Sequence, residues 1–338
     1  MALLKTVDEL NCYVKVNINS TQPIPDAIQL QLIQVEQLVI RRLLGKELYQ
    51  WLVDQYNTTG DQESLASELL ALVQAPLARL ATAGSVEEHQ VTVDSTGIHF
   101  VATETQKTAF PWQVKALQKA LIWRGNSDLD VLVQWLEDNR EAPELAPWLA
   151  SPASELHRRG LFTCTAEFQE HVDISSSRVV YEALAPVRRR LEDFELSAVL
   201  SPAFLSELRE QIRTRTLTSE NENLLRSYVH PALANLSFAK AVPELGLRIA
   251  PDGIELKVAR IDDSNAKEAD ASLDQLMLLK TRGALDDGHR YLRRLEDYLN
   301  RQASTTSFPT YFASSRYTAP DTPVVPVNSS TTRIFKFF

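Results

Sequence analysis

Residues 44–102 read LGKELYQWLVDQYNTTGDQESLASELLALVQAPLARLATAGSVEEHQVTVDSTGIHFVA, and residues 200–258 read LSPAFLSELREQIRTRTLTSENENLLRSYVHPALANLSFAKAVPELGLRIAPDGIELKV. Placed side by side without a gap, at an offset of 156 positions, the two segments share 14 identities over 59 positions. Unrelated segments of ordinary composition share roughly 3 or 4. The sequence therefore predicts a tandem duplication.

The match continues on both sides of this window with small shifts. The helical ending Leu136–Asp138, for example, pairs with Leu295–Asp297. Each copy is then about 150 residues long, a usual size for one folded domain. We predict three parts: a first copy at residues 1–150, a second copy at residues 151–302, and an extended C-terminal arm at residues 303–338.

Apolar residues in each copy first recur with helical spacing. From Ile28 to Gln55 this spacing is broken at Leu44–Gly45, which predicts two helices joined at a tight corner. A further helix with Pro76 near its middle follows, and the copy ends in predicted helices at Trp112–Arg124 and Asp128–Asn139, which Gly125 would separate.

The period changes from 3.6 to 2 before those last helices. Residues 91–101 and 247–258 alternate about a glycine turn, Pro251–Gly253 in the second copy, and such alternation predicts a β-hairpin. The predicted fold class is thus mainly α with two β-hairpins (α+β), built as a tandem duplication of one helical domain plus the arm.

Composition and charge exclude several classes of protein. The chain is 44% hydrophobic and 23% charged, and no apolar run reaches the ~18 residues of a membrane span. Met1–Asn19 lacks the pattern of a secretory signal, so we expect neither secretion nor membrane insertion. The net charge of −9 argues against a general nucleic-acid binder, because neutralising phosphates needs a basic face.

The arm combines a disorder-like composition with large apolar groups. Residues 303–338 are rich in Ser, Thr and Pro, which favours an extended segment with little packing of its own. We predict that its apolar residues bind a partner, with folding back onto its own domain as the alternative. These residues are Phe308, Tyr311, Phe312, Ile334, Phe335, Phe337 and Phe338.

Signatures of catalysis are absent from the sequence. It has no His-Glu-x-x-His, Gly-x-Ser-x-Gly, P-loop or dinucleotide-binding motif. The Ser237-x-x-Lys240 match to serine–lysine enzymes is too short to carry weight and has no accompanying Lys-Thr-Gly. The six histidines lack metal-ligand spacing. We expect no catalytic residues, no cofactor and no metal site, and therefore a protein that is not an enzyme.

Three spaced motifs resemble a known family. Ile40–Tyr49 (IRRLLGKELY), Leu161–Phe168 (LFTCTAEF) and Arg178–Val187 (RVVYEALAPV) are similar to an uncharacterised two-copy family encoded in phages and prophages of Bacteroidetes. The resemblance covers nearly the whole chain and supplies no catalytic residues. The second copy reads Val199–Leu205 (VLSPAFL) where the family pattern has the glycine corner. More distantly, each copy resembles the helical head-to-tail connector proteins of tailed phages, which form rings beneath the portal.

These resemblances imply a virion structural protein, a connector or neck subunit that forms a ring between portal and tail. The implied partners are further copies of the chain and the portal and tail or neck proteins, with DNA only as passing cargo. The implied location is the virion, assembled in the bacterial cytoplasm. The alternatives are a host-side adaptor that binds another protein and an enzyme with an unrecognised site.

Overall fold

The protein, analysed as a computed structural model, is mainly helical. The structure describes residues 3–16, 21–58, 64–86, 91–94, 97–100, 110–245, 247–250, 253–256 and 266–320. The first copy has five helices and two strands within these ranges. In chain order they are α1 (Val7–Tyr13), α2 (Asp26–Val35), α3 (Arg41–Asn57), α4 (Ser64–Ser85), β1 (Val91–Asp94), β2 (Gly97–Phe100) and α5 (Pro111–Asp138).

Short helices follow α5 and lead into the second copy. They are α6 (Ala146–Leu149), α7 (Pro152–Glu155), α8 (Thr165–Gln169) and α9 (Arg178–Ala183), with single 3-10 turns at Pro143–Leu145 and Leu156–Arg158. The elements that follow are α10 (Ala185–Leu191), α11 (Ser197–Leu200), α12 (Pro202–Thr214), α13 (Ser219–Leu224), α14 (His230–Leu245), β3 (Leu247–Ala250), β4 (Gly253–Leu256), α15 (Ala266–Gln302) and, in the arm, α16 (Pro309–Phe312).

The two copies repeat their elements in the same order, with α13, a π turn at Leu225–Val229 and α14 in the place of the single helix α4, and this repetition confirms the tandem duplication. A π-helical turn at Glu36–Ile40 joins α2 to α3, and its counterpart at Glu192–Leu196 joins α10 to α11. These two turns lie 156 positions apart. The same offset relates β1 to β3 and β2 to β4. Strand β1 pairs with β2, and β3 pairs with β4, both in antiparallel orientation.

The predicted tight corner is present in both copies. Gly45, inside α3, has φ 75° and ψ 167°, a backbone region that glycine enters freely. The corresponding residue of the second copy, Ser201, has φ 72° and ψ 149°. The second copy therefore keeps the corner although its sequence departs from the glycine pattern.

The last long helix of the first copy differs from the prediction. Instead of two helices separated at Gly125, the structure has the single helix α5. A Cβ atom at Gly125 would lie 2.7 Å from Cγ of Leu80, so this glycine allows α4 and α5 to approach closely. Gly288 of α15 has the same role in the second copy, where a Cβ would lie 2.6 Å from Cγ of Leu236. The prediction of a helix break at Gly125 was wrong because a glycine at a helix crossing and one at a helix end look alike in sequence.

The described contacts divide the chain into two compact units. The first unit comprises Met1–Arg189 with Ile212–Thr216, and the second comprises Arg190–Gln211 with Leu217–Phe338. In the first unit α4 packs against α2 and α5, and in the second α14 packs against α15. This division falls later than the boundary predicted at residue 150.

The later division has a local cause. Residues after 150 contact the first copy: His157 stacks on Trp148 with ring centroids 6.0 Å apart, and Arg178 forms an ion pair with Asp130. These contacts place the connecting residues in the first unit. The boundaries of the repeats themselves stay a prediction.

Candidate functional site

Two of the residues predicted to bind a partner lie inside the second unit instead. Phe308 and Tyr311 are buried, at 4% and 0% exposure. Phe204 lies 5.9 Å from the Phe308 ring and 6.2 Å from the Tyr311 ring, measured between centroids. The Tyr311 hydroxyl donates to Oδ1 of Asn300 at 3.0 Å. For these two residues the prediction of a partner contact was wrong, because the start of the arm packs onto its own unit.

The other predicted residues of the arm divide into two groups. Phe312 is half-buried, and its ring lies 4.7 Å from that of Tyr317. Ile334, Phe335, Phe337 and Phe338 lie outside the described residues, so their role in binding a partner stays a prediction.

An exposed apolar surface on α5 was missed in the sequence. Trp112 is 68% exposed, Leu117 is 53% exposed and Trp123 is 48% exposed, all in the N-terminal half of the helix. Trp112 and Trp123 lie eleven residues apart and therefore on one side of the helix, and we call these two residues the α5 apolar face. A helical wheel could have found them, because this side is turned away from the buried Leu129 and Leu136.

The equivalent helix of the second copy has an exposed apolar surface of its own. Leu276, Leu278 and Leu279 of α15 are 63%, 52% and 65% exposed. They lie toward the N-terminal end of the helix that follows the second strand pair, as the α5 apolar face follows the first. We call them the α15 apolar face. Each copy thus presents exposed apolar groups on the same repeated element.

A half-buried ion cluster around the Glu137 carboxylate lies at the C-terminal end of α5. The carboxylate oxygens of Glu137 accept hydrogen bonds from Arg158 Nη2 at 2.7 Å and Arg215 Nη2 at 2.7 Å, and Oε1 lies 2.8 Å from Nε2 of His157. The Arg158 Nη1 also donates to the carbonyl oxygen of Ile212 at 3.2 Å. The cluster therefore holds the segment Ile212–Thr216 within the first unit.

The electrostatics of this cluster favour the ionised carboxylate. Burial raises the pKa of Glu137, but hydrogen bonds from His157, Arg215 and Arg158 outweigh it and hold the pKa well below its usual range. Both oxygens are already engaged with guanidinium groups. The geometry thus suits a structural ion network, since a general acid or base needs a pKa near the working pH.

The π turns at Glu36–Ile40 and Glu192–Leu196 each bury a glutamate, and the two glutamates are repeat equivalents. Glu36 Oε1 accepts from the Tyr49 hydroxyl at 2.8 Å and from the Leu3 amide at 3.1 Å. Burial raises the pKa of Glu36 and, with the hydrogen bond to Glu36, raises the pKa of Tyr49 to about 12. Glu192 instead pairs with Arg209 at 2.8 Å. The copies keep the buried acid and change its partner.

One cavity of about 510 Å³ lies in the first unit beside the Gly45 corner. Pro147, Ala153 and Leu156 form part of its apolar wall, while Arg42 and Lys46 bring charged groups to it. Gly45 contributes to its shape, since a Cβ there would lie 3.0 Å from Oγ of Ser151. The charged residues that line the cavity, Arg42, Lys46 and Glu47, are exposed.

The described ranges hold neither a metal-binding cluster nor a membrane-spanning helix. No group of three His, Cys, Asp or Glu side chains in that part of the chain has the arrangement of a metal site. None of the described helices combines the length and apolar character that a bilayer crossing requires.

Comparison with known proteins assigns the chain to a family. A model of a family of unknown function (DUF6712) matches twice, at residues 40–147 and 196–321. Neither the curated proteins nor the solved structures give a match. The two matched segments contain the two corners, the two strand pairs and the helices α5 and α15, so the family unit is the repeat seen in the structure. The chain belongs to this family of unknown function, DUF6712, and contains its unit twice.

Proposed function

We propose that the chain is a virion structural protein of a phage or prophage, a connector or neck subunit that assembles into a ring between portal and tail. The single observation that supports this most is the repeated exposure of apolar side chains on equivalent helices, Trp112 and Trp123 on α5 and Leu276 and Leu279 on α15. A large exposed apolar surface marks a contact with another protein.

Two such surfaces on one chain suit a ring. A subunit of a closed ring contacts a neighbour on each side, so it needs two surfaces that complement each other. The hairpins that we predict in each copy add open strand edges, which are able to pair across subunits. The resemblance to head-to-tail connectors gives the biological setting, and the net charge of −9 suits a channel that DNA passes without adhering.

Imaging and mass measurement of the purified chain test this proposal. We expect negative-stain images to show rings of constant diameter, with the chain alone or mixed with the portal protein of the phage or prophage that encodes it. The variant Trp112→Gln/Trp123→Gln should lose the ring. The control variant Leu30→Gln/Ile33→Gln, which changes exposed apolar residues of α2, should keep it.

A chain that binds the portal one to one as a monomer, with no ring in any image, would overturn the proposal. A stable complex with a single host protein in place of the portal would favour the adaptor.

A further inference from the structure

Arg188 of α10 has a buried guanidinium group without a carboxylate partner. The residue is 8% exposed, and its Nη1 donates to the carbonyl oxygen of Tyr181 at 2.6 Å. Among the described residues it makes no other hydrogen bond and no ion pair. Arg158 and Arg178, whose side chains are 15% and 14% exposed, each pair with a carboxylate. Arg188 therefore differs from these other shielded arginines.

The first copy has an apolar side chain at the equivalent position. At the offset of 156 positions that relates the first two π turns, Arg188 corresponds to Leu32 of α2, which is completely buried. The neighbouring positions also match, since Ile28 and its counterpart Leu184 are both 2% exposed. The second copy thus buries a charge where the first buries a leucine. Burial of a charge without a counter-ion is unfavourable, so the arginine lowers stability unless an anion binds to it.

Two aromatic rings hold the guanidinium group of Arg188 in place. Its Cζ lies 3.8 Å from the centroid of the Tyr181 ring and 5.8 Å from that of the Phe168 ring. Both rings are buried, at 5% and 0% exposure, so packing fixes their positions. A guanidinium group held in this way presents its remaining N–H groups as a rigid fork, which matches the two oxygens of a carboxylate.

The unused nitrogens of Arg188 are accessible to a small group. Nε and Nη2 make no hydrogen bond within the described part of the chain, and neither belongs to the unbonded side-chain atoms there that are fully enclosed. Both nitrogens therefore reach solvent. Because only 8% of the residue is exposed, the opening admits the end of a side chain more readily than a bulky ligand.

The charges around Arg188 favour a singly charged ligand. Burial raises the pKa of the adjacent Tyr181, the charge of Arg188 lowers it, and the charges of Glu182 and Glu167 raise it further. These two carboxylates therefore lie close enough to act on the site. Their negative charge repels a dianion such as phosphate more strongly than it repels a carboxylate.

We propose that Arg188 is a binding site for a carboxylate, supplied by the end of an aspartate or glutamate side chain of a partner protein. In the bound state Nε and Nη2 donate to the two carboxylate oxygens, while Nη1 keeps its bond to Tyr181. Arginine is among the residues that most often anchor a protein contact. The inference is independent of the proposed ring, since it concerns one site on one chain.

Titration of the full-length chain with sodium acetate tests the site, because acetate carries the same group as the end of an aspartate side chain. The NMR signal of the Arg188 Nε–H group, identified by its loss in Arg188→Leu, should shift saturably with acetate. Sodium chloride at the same ionic strength should leave the signal unchanged. Inorganic phosphate and citrate should shift it only at higher concentrations than acetate does.

Thermal unfolding of two variants separates binding from a structural role. Arg188→Leu should keep or raise the melting temperature, because leucine is the residue of the first copy, and it should abolish any stabilisation by acetate. The control Arg189→Leu removes the same charge from the exposed neighbouring residue and should respond to acetate like the wild type. If Arg188→Leu fails to fold, Arg188→Lys identifies the NMR signal instead.

Several outcomes would overturn the proposal. An Nε–H signal that acetate leaves in place, or that chloride moves equally, would show that no carboxylate binds. Tighter binding of phosphate would exclude the carboxylate class, and tighter binding of citrate would make the ligand a small molecule in place of a side chain. A lower melting temperature for Arg188→Leu, with no response of the wild type to acetate, would show that Arg188 serves only to bind Tyr181.

Discussion

At the scale of single residues, the corner between the first helices shows how one backbone conformation is kept by two different side chains. Gly45 enters the left-handed region at no steric cost. Ser201 adopts nearly the same angles with a Cβ, which costs of the order of 1–3 kcal/mol. Its Oγ accepts the Phe204 amide at 3.3 Å and so caps α12, which recovers part of that cost.

Exchanging the two corner residues tests this account. Ser201→Gly should raise the free energy of unfolding by about 1 kcal/mol. The substitution relieves the backbone strain, and it loses little at the helix cap because glycine is itself a good N-cap residue. Gly45→Ser should lower it by about 2 kcal/mol, since the strain appears and the new Cβ meets Ser151. Urea unfolding measures both. A destabilised Ser201→Gly would show that the cap matters more than the strain.

Glu137 and Glu36 should change the free energy of unfolding in opposite directions as pH falls, because the folded state lowers the pKa of Glu137 and raises that of Glu36. Glu137→Gln leaves Arg158 and Arg215 without a carboxylate and should lower the free energy of unfolding by about 3–5 kcal/mol at pH 7. The folded-state pKa of Glu137 is lowered, so its stabilisation is present above the unfolded value of 4.5 and is lost as pH falls through the folded value. Urea unfolding between pH 7 and pH 3 should show the gap between wild type and variant shrinking.

Glu36→Gln is the matched control for that experiment. The folded-state pKa of Glu36 is raised, so its ionisation costs stability at neutral pH, and wild type should gain relative to the variant as pH falls through the folded value. A pH dependence of the same sign for both variants would contradict the two assignments.

At the scale of elements, two glycines show what the sequence predicts about the helices and what it does not: the corner at Gly45 was predicted, and the continuity of α5 through Gly125 was not. The corner at Gly45 was predictable because it interrupts a clear helical period. Continuity of α5 through Gly125 was not, because the reason for that glycine is Leu80 on a neighbouring helix. The exposed tryptophans could be placed by a helical wheel on the side of α5 away from its buried residues, but their exposure could not be predicted, since a sequence leaves open whether another part of the same domain covers that side.

The two described glycines of α15 give a matched test of this packing. Gly288→Ala should lower the free energy of unfolding by about 1–3 kcal/mol, because its Cβ would lie 2.6 Å from Cγ and 3.2 Å from the backbone nitrogen of Leu236. Gly283→Ala meets nothing within 4 Å and should raise it by up to about 1 kcal/mol through helix propensity. Thermal unfolding of both variants is the measurement, and equal effects would contradict the close helix crossing.

At the scale of the whole molecule, the duplication and the helical class followed from the sequence, while the extent of the arm did not. The offset of 156 positions was enough to find the repeat. The arm was predicted to begin at Ala303 because Ser, Thr and Pro dominate there. Phe308 and Tyr311 nevertheless pack on Phe204 of α12, the helix that follows the second corner. Composition does not reveal this contact, because the residues are about a hundred positions apart in the sequence.

Truncation at two points separates the packed part of the arm from the rest. Ending the chain after Arg301 removes Phe308 and Tyr311 and should lower the free energy of unfolding by at least the 3–5 kcal/mol expected for Phe308→Ala alone. Ending it after Pro320 keeps both residues and should leave the melting temperature nearly unchanged while weakening assembly. Equal melting temperatures for the two truncations would contradict the burial of Phe308.

The cluster around Glu137 makes the first copy depend on residues that the second copy supplies. The π turns at Glu36–Ile40 and Glu192–Leu196 and the two corners lie 156 positions apart and belong to the repeated unit. The ion pair between Glu137 and Arg215 does not, because the position that corresponds to Arg215 in the first copy is Thr59. A gene fragment that encodes residues 1–150 alone would therefore encode none of the three side chains that bind Glu137, those of His157, Arg158 and Arg215.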